Sequence, residues 1–494
     1  MFFMKLINYK KSISLILAML LTSMYAASCG STSAGNSGET SGQTQTDTTV
    51  PEETKEVAEI PDVKYDGYQF RILGQTPATG STNDEIYAES ETGDMLNDAV
   101  YQRNTMVEDN LGVEIVKIES DDIASDLSKS VLADDDAYDA AVNVVDNTRS
   151  ALTSGYLLSL DDLPYIDISK SWWKQDVIES FSIAGKMYMM FGDILYSDKN
   201  ATWALCFNKN LYEEYGLGDP YSIVRDGKWT LDVFAEHCKD ITKDLDGNAA
   251  LDKNDQWGLL SSRTAGIGLV TSCGIFTTTV ENNGNLTFNL GSERSVNALG
   301  KINELMNDSS MQLRAEDIGG SSMWTDIINI FREGRALYRI SIMTDIATLR
   351  DMEDDFGILP LPKYDENQED YYTTYQSWNA KSYVVPVTVS DRERTGVILE
   401  YMASVSPDTV TKAYYDVTLQ RKVARDDDSS EMLDIIFNSV TTDIALALDL
   451  GNIRTKLISM INSTSNTIAS DIASSKESIQ TELDKVYESI SSLG

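Results

Sequence analysis

Residues 138–145 read Tyr-Asp-Ala-Ala-Val-Asn-Val-Val and are apolar almost throughout. A strand with so few polar residues on either face is typical of a parallel sheet that helices cover on both sides. The segments before it fit such a sheet, with strands beginning at Tyr68 and Val113 and helices over residues 97–111 and 123–132. This alternation of strands and helices predicts an α/β fold.

The same alternation continues toward the C-terminus. Further strands are predicted at residues 186–190, 203–207, 336–340 and 356–359, and further helices at 209–215, 230–243, 295–306 and 324–332. Helices dominate after residue 391, and in the block 456–493 the Ile, Val and Leu residues are spaced to form one buried face. The chain therefore has a helical C-terminus.

The composition is strongly acidic. Lys and Arg number 40 against 78 Asp and Glu, which gives a formal net charge of −38. Nucleic acid binding depends on clustered Lys and Arg that contact phosphates, so this balance argues against a nucleic acid partner. An acidic surface keeps a protein soluble and away from anionic polymers, but it does not identify a ligand.

The N-terminus has the pattern of a secretory signal. Lys5 and Lys10 precede an apolar run at residues 13–21, which is shorter than the roughly 20 residues that span a bilayer. The small residues before Cys29 resemble the lipobox of bacterial lipoproteins, in which this cysteine carries a diacylglycerol. We expect a lipoprotein signal peptide over residues 1–28, with ordinary cleavage nearby as the alternative.

A tether is predicted next, over residues 29–60, because Gly, Ser, Thr and Gln recur there without an apolar pattern. About 435 residues follow the tether, enough for two or three domain-sized units. A lipid followed by a tether indicates a folded part that stays near a membrane, which suits enzymes, adhesins and binding proteins alike.

Few residues suit catalysis by a thiol or a histidine. Three cysteines follow Cys29, and an odd number outside the cell argues against a disulfide framework. Cys206, Cys238 and Cys273 have largely apolar neighbours, which favours buried free thiols and leaves one pair possible. His237 is the single histidine and lies beside no metal-like cluster. We therefore expect neither zinc chemistry nor a histidine-based catalytic triad.

Motifs that follow one another in a fixed order suggest a family. They are 138–146 with Gly-Tyr-Leu-Leu-Ser-Leu at 155–160, Gly-Lys-Met-Tyr at 185–188, Cys-Phe-Asn-Lys-Asn-Leu-Tyr at 206–212, Tyr-Gly-Leu at 215–217, Lys-Trp-Thr at 228–230, Phe-Arg-Glu-Gly-Arg-Ala at 331–336 and Phe-Gly-Ile-Leu-Pro-Leu-Pro-Lys-Tyr at 356–364. Over residues 64–420 this series resembles the extracellular solute-binding proteins of carbohydrate-type ABC importers (family 1), particularly a lipoprotein branch from Gram-positive bacteria. Phe207 stands where the family pattern has Tyr.

The resemblance implies two α/β lobes, each discontinuous in sequence, joined by hinge strands and closing on a ligand between them. It places lobe 1 at residues 61–195 plus 378–420 and lobe 2 at 196–377 plus 421–494. The chain is expected to cross between lobes near 193–202, near 372–378 and near 415–425.

Candidate ligand contacts lie beside these crossings. Aromatic rings cover the flat C–H faces of sugars, and carboxylates and amides bond their hydroxyl groups. The predicted contacts are Tyr196, Trp203, Gln376 and Trp378 at the crossings, and Asp146 and Asn147 after the strand that ends at residue 145. Trp172, Trp173 and Trp324 are further candidates, with core packing as the alternative for each aromatic residue.

Residues 244–255 read Asp-Leu-Asp-Gly-Asn-Ala-Ala-Leu-Asp-Lys-Asn-Asp and have the spacing of a calcium loop. The predicted ligands are the side chains of Asp244, Asp246, Asn248, Asp252 and Asp255 and the backbone carbonyl of Ala250. Leu251 would point into the core. Ala249 stands where Gly is usual, and a left-handed backbone there costs about 1–2 kcal/mol. A structural Ca²⁺ is the favoured interpretation and a solvated acidic turn the alternative.

These features together predict a monomeric lipoprotein on the extracellular face of the cell membrane. The resemblance implies that it is not an enzyme. It would capture a small polar solute, best an oligosaccharide, and deliver it to the permease subunits of an ABC transporter. A secreted glycoside hydrolase and a surface interaction protein are the alternatives from other classes. Within the binding class, peptides or polyamines could replace the sugar.

Overall fold

The computed structural model describes residues 56–77, 84–416, 426–465 and 467–492. The predicted signal peptide, Cys29 and the tether up to residue 55 lie outside the described residues. Residues 56–60, which the sequence assigns to the tether, lie against the folded part of the chain. Ala58 and Ile60 pack on the core, and Glu56 accepts a hydrogen bond from the backbone N–H of Ser171 at 3.0 Å.

The strands span both halves of the described chain. They are β1 Tyr68–Gln75, β2 Val113–Ser120, β3 Ala140–Val144, β4 Trp203–Asn208, β5 Trp257–Ser261, β6 Thr278–Val280, β7 Leu286–Phe288, β8 Gln312–Arg314, β9 Ala336–Ile342, β10 Phe356–Leu359 and β11 Lys381–Val384.

The helices alternate with these strands and then dominate the C-terminal part. They are α1 Met95–Leu111, α2 Ile123–Ala133, α3 Arg149–Thr153, α4 Gln175–Ser180, α5 Ser197–Asn200, α6 Lys209–Glu214, α7 Pro220–Arg225, α8 Leu231–Cys238, α9 Ala265–Ser272, α10 Glu293–Asn307, α11 Ala315–Ile318, α12 Met323–Arg332, α13 Met343–Ile346, α14 Arg392–Val405, α15 Lys412–Tyr414, α16 Asp427–Asn438, α17 Ile444–Ala447, α18 Ile453–Ile461 and α19 Ile468–Ser491. Among the described residues, no helix is both long enough and apolar enough to cross a membrane.

Several helix boundaries follow from local capping. Asp94 accepts from the backbone N–H groups of Leu96 and Asn97 at the start of α1, and Thr230 caps α8 by accepting from Val233. Gly112 ends α1 with φ 63°, a left-handed conformation in which a side chain would be strained. Helix α8 ends at Cys238, earlier than the predicted boundary at residue 243.

The first sheet has the order β11-β3-β1-β2. Strands β1, β2 and β3 are parallel, and β11 runs antiparallel to β3. Because β11 enters where β3 ends, the carboxyl edge of the parallel strands also holds the residues just before β11. The backbone N–H of Asp146 donates to the carbonyl of Ser377 at this edge, at 3.0 Å.

The second sheet has the order β10-β4-β9-β5-β8. Strands β5, β8 and β9 are parallel, and β4 is antiparallel to both β9 and β10. Both faces are buried: Leu205 and Phe207 of β4 belong to the main apolar core, whereas Ala204 and Cys206 face a second cluster. These two sheets form the two α/β lobes that the resemblance implies, and each also holds antiparallel strands that the alternation did not predict.

Two segments connect the sheets side by side. Thr202 pairs antiparallel with Tyr375, and the backbone N–H of Gln376 donates to the carbonyl of Ala201 at 2.9 Å. These are the first two predicted crossings. The third, at residues 415–425, falls largely on residues outside those described. The assignment of the residues outside the two sheets to one lobe or the other stays a prediction.

The strand predicted at residues 186–190 is wrong. The segment makes isolated bridges, Ile183 with Lys186 and Met190 with Tyr383, and its apolar side chains lie in the core. An apolar run predicts burial, but a strand also needs a neighbour that pairs along its length. Strands β5, β6, β7, β8 and β11 were missed, because each has five residues or fewer.

A candidate ligand-binding cleft at the carboxyl edges of the sheets

A cavity of about 300 Å³ lies at the edge of the second sheet where the parallel strands end. Its wall includes Ser261 at the end of β5, Ile342 at the end of β9 and Trp203 at the start of β4. Gln376 and Trp378 of the second crossing segment also line it. Ligands of α/β proteins bind outside the carboxyl ends of strands, so this is the expected place for a site.

A second cavity, of about 460 Å³, adjoins the first. The two share Ile342, Asp345 and Asn379 as lining residues. Tyr196 and Lys381 line the second cavity, which places it against the start of β11 and the first crossing segment. Together they form one cleft along the crossing segments, and each cavity falls within the range of small-molecule sites.

Three tryptophans line the first cavity and differ in exposure. Trp203 is 2% exposed, Trp378 is half-buried and Trp324 of α12 is 49% exposed. Helix α9 packs against Trp203, and a Cβ at Gly268 of this helix would lie 3.1 Å from the Trp203 ring. This close approach fixes the buried ring, while Trp324 leaves much of its surface free for a ligand.

The polar residues of the first cavity include three that the sequence analysis missed: Arg339, Asp345 and Glu316. Nη2 of Arg339 donates to Oδ2 of Asp345 at 2.8 Å. Oε1 and Oε2 of Glu316 both accept from the backbone N–H of Arg263. Arg339 lies inside the buried strand β9, and a charged residue in a predicted core strand is the signal that could have found it.

The second cavity holds an ion pair between the half-buried Lys381 and the buried Glu85. Lys381 lies 2.9 Å from Glu85, and the negative charge of Glu85 raises the pKa of the Lys381 ammonium. The other carboxylate oxygen of Glu85 accepts from the backbone N–H groups of Tyr196 and Ser197. Burial raises the pKa of Tyr196 well above its ordinary value, so its hydroxyl group stays neutral and can donate.

Residues 104–421 match the family described as bacterial extracellular solute-binding protein. This chain is a bacterial extracellular solute-binding protein. The matched span covers the whole second sheet, strands β2, β3 and β11 of the first sheet, and both described crossing segments. No curated protein matches the sequence of the chain.

Solved structures with a similar fold span nearly the whole of the described part. An ABC substrate-binding protein from Listeria monocytogenes, in complex with cycloalternan, matches with a TM-score of 0.52 and 15% identity, over 85% of this chain and 100% of that one. A cyclo/maltodextrin-binding protein complexed with maltotetraose gives 0.54 and 14%, over 86% and 98%. A maltose/maltodextrin-binding domain from Bdellovibrio bacteriovorus, bound to maltotriose, gives 0.51 and 15%, over 84% and 99%. At these identities the similarity shows the fold.

Within this solute-binding protein the cleft brings together most of the predicted ligand contacts. Trp203, Gln376 and Trp378 line the first cavity with Trp324, and Tyr196 lines the second. Their contact with a ligand stays a prediction. The oxygen of the Gln376 side chain accepts a hydrogen bond from the Asn379 amide, so one of its polar atoms already has a partner.

Asp146 lies near the cleft but has a structural partner. Its Oδ1 accepts from Nη2 of Arg454 at 2.8 Å. The same guanidinium donates from Nη1 to Ser377 Oγ at 2.7 Å and lies 5.3 Å from the ring centre of Trp378. Arg454, just inside α18, therefore fixes the end of β3 to the second crossing segment. Asp146 and the exposed Asn147 are absent from the residues that line the two cavities.

Trp172 and Trp173 belong to the core and are absent from the residues that line the two cavities. They are 2% and 3% exposed, and Nε1 of Trp173 donates to Oε2 of Glu400 at 3.0 Å. Core packing, the alternative stated for each aromatic residue, explains both. The single histidine, His237, is half-buried, with Tyr212 and Tyr338 at 2.8 and 3.0 Å from Nδ1.

The three cysteines of the folded part are buried and unpaired. Burial raises the pKa of the Cys206 and Cys273 thiols to about 12, and it also raises the pKa of Cys238. They therefore remain protonated thiols at neutral pH, which is typical of structural cysteines.

The acidic loop brings three of its predicted calcium ligands together. Asp244, Asp246 and Asp255 each offer an oxygen atom within 4.8 Å of the others. Both oxygens of Asp244 accept from backbone N–H groups of the loop, as do both oxygens of the buried Asp255. The donor chemistry suits Ca²⁺, because the set consists of hard oxygen atoms.

Other details of the loop agree less well with the prediction. Asn248 accepts from the backbone N–H of Ala250, and the Asp252 carboxylate accepts from that of Asn254. Leu251 is 45% exposed, so its predicted position in the core is wrong. Ala249 has φ 64°, the left-handed conformation for which Gly is usual at this position.

Proposed function

We propose that this protein captures an oligosaccharide in the cleft and releases it unchanged to the permease subunits of an ABC transporter. The observation that carries the proposal is the first cavity, where three tryptophans meet hydrogen-bonding side chains at the carboxyl edge of a sheet. Rings beside polar groups match the alternating C–H faces and hydroxyl groups of a sugar.

The length of the cleft favours more than one sugar ring. The second cavity extends the first along the crossing segments and adds polar partners such as Asn200 and Lys381. The bound cycloalternan, maltotetraose and maltotriose of the similar structures support this choice among solutes.

We also propose that the protein acts as a monomer held on the outer face of the cell membrane by a lipid on Cys29. The small residues before Cys29 and the polar stretch that follows it support an anchor followed by a tether. A tethered binding protein stays near its permease while the folded part moves to meet solute.

Calorimetric titration of the purified protein tests the proposed function. The probes are maltotriose, maltotetraose and cycloalternan, with spermidine and a tetrapeptide as representatives of the other solute classes. We expect one of the glycans to bind. The same glycan should be recovered unchanged after the titration, with no new reducing ends. Release of reducing ends would favour a glycoside hydrolase. Binding of spermidine or the peptide, without binding of any glycan, would show that the solute is a polyamine or a peptide and not a sugar.

A variant of Trp324 locates the site. Trp324→Ala removes a ring that is 49% exposed, so the core is undisturbed, and we expect glycan affinity to fall about 10- to 100-fold, as for truncation of a contact aromatic. Tyr165→Ala is the matched control, because Tyr165 is 40% exposed and lies outside the cleft. Equal affinities for wild type and Trp324→Ala would place the site elsewhere.

A further inference from the structure

Two buried N–H donors in the first cavity lack a partner. Among the described residues, neither Nε1 of Trp203 nor Nη1 of Arg339 has a hydrogen-bond acceptor. Both residues line the cavity, and Trp203 and Arg339 are 2% and 3% exposed. Buried donors are almost always paired in folded proteins. Two such donors without acceptors beside the same cavity indicate that a bound ligand supplies the hydrogen-bond acceptors.

The guanidinium of Arg339 is held in one orientation. Its Nη2 donates to Oδ2 of Asp345 at 2.8 Å, and the same oxygen accepts from Ser341 Oγ at 2.9 Å. Ser341 and Arg339 are both on β9, so the carboxylate is fixed to the strand that carries the guanidinium. Because the guanidinium is planar and is held through Nη2, its Nη1 can donate to a ligand with little further loss of conformational freedom.

The charges around the cleft do not favour an anionic ligand. Two carboxylates, Glu316 and Asp345, and one guanidinium, Arg339, line the first cavity. In the second cavity the ammonium of Lys381 is paired with Glu85. Each positive charge of the described lining therefore has a carboxylate beside it, and an acidic sugar would meet net repulsion.

We propose that Arg339 determines the ligand class of this cleft: it donates from Nη1 to a hydroxyl oxygen of an uncharged sugar, beside the N–H of Trp203, and Asp345 keeps acidic sugars out. This inference rests on the proposed function and makes it more specific. Asp345 acts by orienting the guanidinium and by neutralising its charge.

Matched pairs of glycans test this selectivity. Maltotriose, maltotetraose and cycloalternan are each titrated beside the same glycan oxidised at its primary hydroxyl groups to uronates. We expect wild type to bind a neutral member of the panel and to bind its uronate counterpart at least tenfold more weakly. Uronates that bind as tightly as the neutral glycans would overturn the role of Asp345.

Variants of Arg339 and Asp345 distinguish the roles of the two residues. Arg339→Met is expected to weaken neutral glycan binding about 10- to 100-fold, the range for loss of a hydrogen bond from a charged donor. Arg339→Lys restores part of it. Asp345→Asn still accepts from Arg339 but leaves its charge uncompensated, so uronate affinity is expected to rise about tenfold or more. Arg335→Met is the matched control. Arg335 comes directly before the first residue of β9, away from the cavity, and donates to Glu333.

The outcomes distinguish this inference from the proposed function. Wild type that binds no glycan of either kind contradicts the proposed function and this inference with it. Wild type that binds a neutral glycan, with Arg339→Met binding it equally well, contradicts this inference alone. If Arg339→Met does not fold, the indole N–H resonance of Trp203, assigned with Trp203→Phe, gives the answer: a shift on glycan addition supports the inference and an unchanged resonance contradicts it.

Discussion

Glu400 shows how much one buried carboxyl group can change the pH dependence of stability. It is fully buried on α14, where Oε2 accepts from Trp173 Nε1 and from the backbone N–H of Asp167. Among the described residues Oε1 has no hydrogen-bond partner. Burial raises the pKa of this group from 4.5 to about 7, because the charged form loses more hydration than its two donors replace.

We expect Glu400→Gln to stabilise the protein at pH 8 and to leave it unchanged at pH 4. Below pH 4.5 the glutamic acid is protonated in both folded and unfolded chains, and its contribution to stability is fully present. That contribution is lost as pH rises through about 7, at a cost of at most about 3 kcal/mol. Thermal melts of both proteins across this range measure the difference. Glu477→Gln, at an exposed position of α19, is the control, and a Tm difference that does not change with pH would contradict the prediction.

Sequence patterns predicted residues of the cleft when they lay beside a crossing segment. Trp203, Gln376 and Trp378 were predicted in this way, and all line the first cavity. Asp146 follows a strand at the carboxyl edge of the predicted sheet, a position that predicts a ligand contact, yet it pairs with Arg454. Arg454 is 308 positions away in the chain, so no local pattern could have linked the two.

At the scale of elements, the acidic loop between α8 and β5 can be tested apart from the cleft. Millimolar Ca²⁺ is expected to raise Tm by about 2 to 5 °C relative to EDTA, because an ion that binds the folded chain alone stabilises it. Asp246→Asn, at an exposed predicted ligand, should abolish the difference. The exposed Asp226→Asn serves as control, and equal melts in EDTA and Ca²⁺ would favour the solvated turn.

Element boundaries were predictable where local chemistry sets them. Helix α1 ends at Gly112 and α8 begins after Thr230, both as predicted, because a left-handed glycine and a capping threonine act within one turn. The run at residues 186–190 was predicted as a strand although it pairs only through isolated bridges. Pairing depends on a partner distant in sequence, here Tyr383, which the pattern of the run itself does not contain.

At the scale of the molecule, the crossing segments determine how a ligand can act. Residues 56–494 form one compact unit, and the carboxyl edges of both sheets meet the segment around residues 376–380. A ligand that contacts both sides of the cleft stabilises the closed arrangement over the open one.

We therefore expect the radius of gyration to fall when a bound glycan is added. Small-angle scattering of the purified protein, with and without the glycan that binds in calorimetry, measures the change. Trp324→Ala at the same glycan concentration should keep the larger radius, because it binds weakly. Calorimetric binding without compaction would show that the cleft does not close on its ligand.

The overall fold was more predictable than the site. Continuous apolar strands and the order of motifs led to two α/β lobes, since those features depend on many residues at once. The ligand-facing chemistry depends on where single side chains such as Arg339 meet, and their register is set by strand pairing across the sheet. A lone arginine in a buried strand gives no sign of which cavity it lines.

The burial of Cys206, Cys238 and Cys273 has a practical consequence. With Cys29 replaced by Ser, maleimide dyes would find no accessible native thiol in the described fold. Cysteines introduced at Lys129 and Lys228, which are 71% and 57% exposed, could then carry a donor and an acceptor fluorophore. The protein would become an optical sensor whose energy transfer reports the sugar in solution.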